Sequence, residues 1–75
     1  MELGVSEVAT IQVNGQSEAL AAPTLVALLE ERGIDAGGRG LAIALNGAVV
    51  PRTAWTQTML RAGDAVEIVQ AKQGG

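Results

Sequence analysis

The chain has 75 residues, a net charge of −3 and a single aromatic residue, Trp55. That length allows one small domain, the acidic balance argues against electrostatic binding to nucleic acid or an anionic membrane, and one aromatic cannot build a base-stacking platform. The absence of Cys and His removes disulfides, a thiolate nucleophile, Cys-based metal sites and the usual neutral-pH proton shuttle.

Residues 1–7 form a leader of mixed character with no period. From Val8 to Val13 the pattern alternates, with Ala9, Ile11 and Val13 on one side and Val8, Thr10 and Gln12 on the other. That predicts a half-buried strand. Asn14-Gly15 tolerates positive φ at both central positions, as a two-residue type I′ hairpin requires. Gln16 to Ala21 is the return strand, anchored by Leu20. Pro23 and Thr24 open a helix. The Thr24 hydroxyl can cap a first-turn amide, although Ala27 stands where a capping box has Glu. Leu25, Leu28, Leu29 and Arg32 fall at i, i+3, i+4 and i+7 and form one stripe, while Glu30 and Glu31 face water. Gly33 is placed to end the helix in a left-handed conformation.

Residues 34–40 are Gly-rich and expected to be a flexible connection. Leu41, Ile43 and Leu45 alternate with Ala42 and Ala44 in a third strand. Asn46-Gly47 repeats the hairpin turn. Val49-Val50 is a short strand that Pro51 stops or confines to an edge. Trp55 to Leu60 is expected as a helical turn and residues 62–64 as a turn. Ala65 to Val69 is the last strand, with Val66 and Ile68 inward. The domain plan is a leader (1–7), a folded body (8–69) and a flexible Gly-Gly tail (70–75). The class is α+β: a mixed sheet of four to five strands with one main helix packed on one face. The first and last strands are both apolar and pair centrally in parallel, with the helix crossing between the halves. This is a β-grasp, the ubiquitin-like architecture. Ile11, Val13, Leu41, Ile43, Val66 and Ile68 then face Leu25, Leu28 and Leu29.

Few side chains invite chemistry. Gly37-Gly38-Arg39-Gly40 lacks the Gly-Lys-Ser/Thr ending of a phosphate loop and leads from helix into strand, the wrong order. Glu30-Glu31 is a solvated helix face. Asp64 follows Gly63 where an Asx bond to the backbone is the usual role. Ser6 and Ser17 have no His or other obvious base to activate them. Trp55 is either a lid on the core edge or a partner contact. Met1-Glu2-Leu3-Gly4 carries an acid where a secretion signal has its basic region. No apolar run approaches the ~20 residues that span a bilayer. A soluble cytoplasmic protein without membrane or nucleic-acid contact is expected.

The tail offers a different group. Glycine has no Cβ, so Gly74-Gly75 can thread a channel too narrow for any side chain and presents an unhindered α-carboxylate. A body without catalytic side chains thus carries one group suited for access, its own terminal carboxylate.

The run Ile11-Gln12-Val13-Asn14-Gly15, the helix Thr24-Leu25-Val26-Ala27-Leu28-Leu29-Glu30 and Ala42-Ile43-Ala44-Leu45-Asn46-Gly47 followed by Val49-Val50-Pro51-Arg52 resemble the ThiS/MoaD family of sulfur carriers, and ThiS of thiamin biosynthesis most. So do Trp55, Leu60, Gly63-Asp64, Val66-Glu67-Ile68-Val69 and Gly74-Gly75. The resemblance covers about residues 9–75, and the leader before Val8 is longer than the family's usual start. It implies a protein co-substrate rather than an enzyme. A ThiF-like adenylyltransferase would use ATP to turn the Gly75 carboxylate into an acyl-adenylate, with Gly74 beside it. Sulfur from a cysteine desulfurase-type donor would then give a thiocarboxylate that serves thiazole synthase. No cofactor would be bound by the chain itself, since the ATP belongs to the partner. The uncovered sheet face, with Ala42, Ala44, Ala65, Glu67 and Val69, is small enough for close backbone approach and is expected to dock these partners.

Rival readings share the fold: the small subunit of molybdopterin synthase, or a carrier for cysteine or tRNA thiolation. The Val66-Glu67-Ile68-Val69 strand and the scarcity of aromatics fit the thiamin carrier better. A ubiquitin-like modifier building lysine-linked chains on its folded body is excluded, because the one Lys, Lys72, lies in the tail. A non-catalytic β-grasp binding module with an incidental Gly-Gly is the remaining alternative.

Overall fold

The computed structural model describes residues 9–71. The leader 1–7, Val8 of the first expected strand and residues 72–75, including Gly74 and Gly75, lie outside the described residues. Strand β1 (Thr10–Val13) turns through Asn14-Gly15 into β2 (Gln16–Ala19). Helix α1 (Leu25–Glu31) follows, then β3 (Leu41–Leu45), β4 (Ala48–Val49), a 3-10 turn at Arg52–Ala54 and β5 (Ala65–Gln70). The sheet order is β2-β1-β5-β3-β4. β5 lies parallel to β1 and antiparallel to β3. This is the expected β-grasp, with all five strands present.

Both hairpins are made by the local chemistry of Asn-Gly. Asn14 and Asn46 each sit at φ 52 and Gly15 and Gly47 at φ 86, the paired left-handed positions of a type I′ turn. The two asparagines also reach sideways to the last strand. Asn14 Oδ1 accepts from the Ile68 N–H at 2.8 Å, and Asn46 Oδ1 accepts from the Ala65 N–H at 2.9 Å. Each turn therefore extends the ladder on one flank of β5.

Thr24 Oγ1 caps α1 by accepting from Ala27 N at 3.1 Å. At the other end Gly33, at φ 73, donates to Glu30 O, and Ile34 donates to Leu29 O at 2.9 Å. This pair of reverse bonds is the Schellman motif, and it satisfies carbonyls the helix leaves free. Leu25, Leu28 and Leu29 are buried with Ile11, Val13, Leu41, Ile43 and Val66 in one cluster. Ile68 is half-buried against it.

Several expectations need correction. Ala9 is exposed, outside β1; its position precedes the strand, so alternation no longer governs it. β2 ends at Ala19 rather than Ala21, because the chain must turn under the sheet toward α1, and Leu20 packs on the core from that bend. Arg32 leaves the helix stripe at the C-cap and pairs with Glu18 on β2 at 3.0 Å. The expected helical turn over Trp55 to Leu60 forms earlier, at Arg52–Ala54; Met59 instead bridges to Thr24, and Leu60 N donates to Pro23 O at 3.0 Å. β4 is Ala48–Val49 rather than Val49-Val50, since Val50 turns inward to pack on the core ahead of Pro51.

Candidate functional site: the open sheet face and the root of the tail

The helix covers one face of the sheet, and alternation sends the other residues of β3 and β5 to the opposite face. The antiparallel register sets Ala42 beside Val69 and Ala44 beside Glu67. Ala65 lies beside Gln12 of β1 in the parallel ladder. Ala42, Glu67 and Val69 are exposed, whereas Ala44 and Ala65 are partly covered. The sequence missed one member of this surface. Val49 of β4 stands beside Ala44 and is 77% exposed, more than Val69 at 58%. Pro51 had marked that segment as an edge, and an edge valine with no strand beyond it has nothing to cover it. The face thus holds Val49, Ala44, Ala42 and Val69 around a single charge, Glu67.

β5 carries the chain from this face toward its C-terminal end. The strand runs to Gln70, one residue past the expected boundary at Val69. Ala71 N then donates to Gly40 O at 2.8 Å. Gly74 and Gly75 lie beyond, outside the described residues.

The side chains with rival roles fall into structural positions. Trp55 is 2% exposed, and its Nε1 donates to Val50 O at 2.8 Å; burial on this scale rules out the partner contact and leaves the core lid. Asp64 binds its own turn, with Oδ2 accepting from Arg61 N at 2.8 Å. Its Oδ1 accepts from Asn46 Nδ2 at 3.1 Å. The 34–40 segment, expected as a free connection, is tied down. Gly37 N donates to Asp35 Oδ1 at 2.9 Å, and Arg52 donates to the carbonyls of Ala36 and Gly38. Among the described residues there is no cavity and no group of acidic side chains suited to a metal ion. No helix is long and apolar enough to cross a membrane.

The ThiS family profile matches residues 10–75. The chain belongs to the ThiS family. Its fold is also that of a solved structure, the thiamine biosynthesis protein (ThiS) from Geobacter metallireducens. The two share 29% identity with a TM-score of 0.71, over 88% of this chain and 99% of the other. Comparison with curated proteins gives no match. The ThiS-family match extends past the described body to Gly75, so the Gly-Gly end is inside the family's span.

Proposed function

We propose that this chain is a sulfur carrier of thiamin biosynthesis, acting as a protein co-substrate through its Gly75 carboxylate. Membership of the ThiS family over residues 10–75 is the observation that carries the reading. The described body adds support, because β5 leads toward the C-terminus beside an open sheet face that carries Val49, Ala42, Ala44 and Val69.

The chemistry proceeds in two displacements. A carboxylate oxygen of Gly75 attacks the α-phosphorus of ATP on a ThiF-like adenylyltransferase, and pyrophosphate leaves. Hydrosulfide, released when a thiol reductant cleaves the persulfide of a cysteine desulfurase-type donor and is itself oxidised to a disulfide, then attacks the acyl carbon, and AMP leaves with the shared oxygen. The thiocarboxylate passes to thiazole synthase. The partners dock on Ala42, Ala44, Ala65, Glu67 and Val69, with Val49 extending the contact. Four residues follow Ala71, a reach of at most about 14 Å, so a docked active site must lie within that distance of the tail root. Gly74 and Gly75 lack the Cβ atoms that would collide with a narrow channel.

Intact mass tests the reading. Incubation with the adenylyltransferase, ATP and a sulfur donor should replace one oxygen by one sulfur on the C-terminal peptide. A chain that gains no sulfur, with the enzyme shown active on its own carrier, refutes it.

A further inference from the structure

We propose that Arg52 is a positioning residue for the terminal carboxylate, acting through the 36–40 loop on the root of the tail. The inference rests on the carrier reading above.

The geometry forms a short chain of contacts. Trp55 is buried, and its indole is held by Val50 O. The Arg52 guanidinium lies 4.6 Å from the centre of that ring, within the range of a cation–π contact. From this fixed plate the guanidinium forks to two carbonyls of the loop, Ala36 O and Gly38 O, the latter at 2.8 Å from Nη2. Two residues on, Gly40 takes φ 74 to turn the chain into β3. Its carbonyl receives the Ala71 N–H at 2.8 Å. That bond is the last rung of the β3–β5 ladder among the described residues.

Arg52 therefore anchors the loop that ends the ladder holding Ala71. The loop's glycines supply no side chains to anchor it, and the Asp35 bonds hold its first half only. A planar fork suits this task, because it grips two acceptors at once, where a Lys ammonium acts as a point charge. The consequence falls on the reaction because in-line attack demands a near-attack geometry of roughly 3–3.5 Å. Losing the last rung moves the point at which β3 holds the chain back from Ala71 toward Gln70.

Amide hydrogen exchange of the full chain, read by NMR, tests the mechanical link. Arg52→Ala should speed exchange at Ala71 about tenfold or more, the effect of losing charge-assisted bonds. The Asn14 and Asn46 amides, bonded to the opposite end of β5, should keep their wild-type rates. Arg52→Lys should fall between. Pyrophosphate release from ATP by the cognate adenylating enzyme tests the positioning role. Arg52→Ala should lower kcat about fivefold or more with KM for the chain within about twofold, the pattern of an interaction needed for the chemical step rather than for docking. Ala71→Pro, which removes the N–H and leaves Arg52 intact, should do the same. Unchanged Ala71 exchange in Arg52→Ala overturns the inference, as does faster exchange with wild-type kcat. A wild-type chain that is never activated overturns the carrier reading and the positioning role together. Activation of the wild type while Ala71 exchange ignores Arg52 overturns the inference alone.

Discussion

Leu28→Ala is the sharpest probe of how this small core is built. Leu28 is 2% exposed and lies at the centre of the helix face that meets the sheet. The substitution removes three carbons, worth about 2.4 kcal/mol at ~0.8 kcal/mol per buried group. A cavity that the neighbours fail to fill adds to this, within the usual range of about 2–5 kcal/mol. A domain of 75 residues has roughly 4–11 kcal/mol in total, so one side chain removes a large share. Urea unfolding followed by Trp55 fluorescence reads the loss. With a slope of about 1 kcal/mol per molar, the midpoint should fall by about 2–5 M. Arg32 provides the contrast. It shares the predicted stripe, but its Glu18 partner and its own side chain are each about one-third exposed. Arg32→Ala should therefore cost at most about 1 kcal/mol, as solvent screening leaves little for such a pair. A midpoint shift below about 0.5 M for Leu28→Ala with an unchanged slope, or equal shifts for the two variants, would refute this assignment of the buried face.

Asn46→Ala should cost about 2 kcal/mol, because alanine resists φ 52 and the side-chain bonds to Ala65 N of β5 and to Asp64 in the turn before it are lost. Asn46→Gly should cost less, since only the bonds go, and equal denaturation midpoints for the two would show that φ is not under strain. Ala44→Arg places a long cation in the partly covered centre of the open face. It should weaken binding to both adenylyltransferase and thiazole synthase while the thermal midpoint holds, and calorimetric titration showing wild-type affinity for both would remove this face from the docking surface. Deleting Gly75 moves the terminus back by about 3.5 Å. Thiocarboxylate formation should vanish with the thermal midpoint unaltered, and mass spectrometry finding sulfur on Gly74 at the wild-type rate would disprove that Gly75 is the acceptor.

The amino-acid sequence by itself determined the elements whose physics is local. Asn14-Gly15 and Asn46-Gly47 make their turns because those residues accept positive φ. Thr24 and Gly33 bound the helix because a hydroxyl can cap one end and a missing Cβ frees the other. Period-two alternation was enough to separate Ile43 and Val66 from Ala42 and Glu67, and hence the core from the open face. The carboxylate chemistry proposed for Gly74-Gly75 rests on the same kind of local reason, the absence of side chains. Tertiary structure decided what depends on residues distant in the chain. Asn14 meets Ile68 across 54 residues, and no local pattern marks that bond. Trp55 became a buried plate rather than a surface contact only once Val50 and the core closed around it. The glycines of 34–40 promise freedom when read alone, yet Arg52 reaches back to their carbonyls and Gly40 takes the amide of Ala71. These bonds cost conformational entropy that neighbouring residues cannot repay. They form only where the assembled sheet has already brought both partners together.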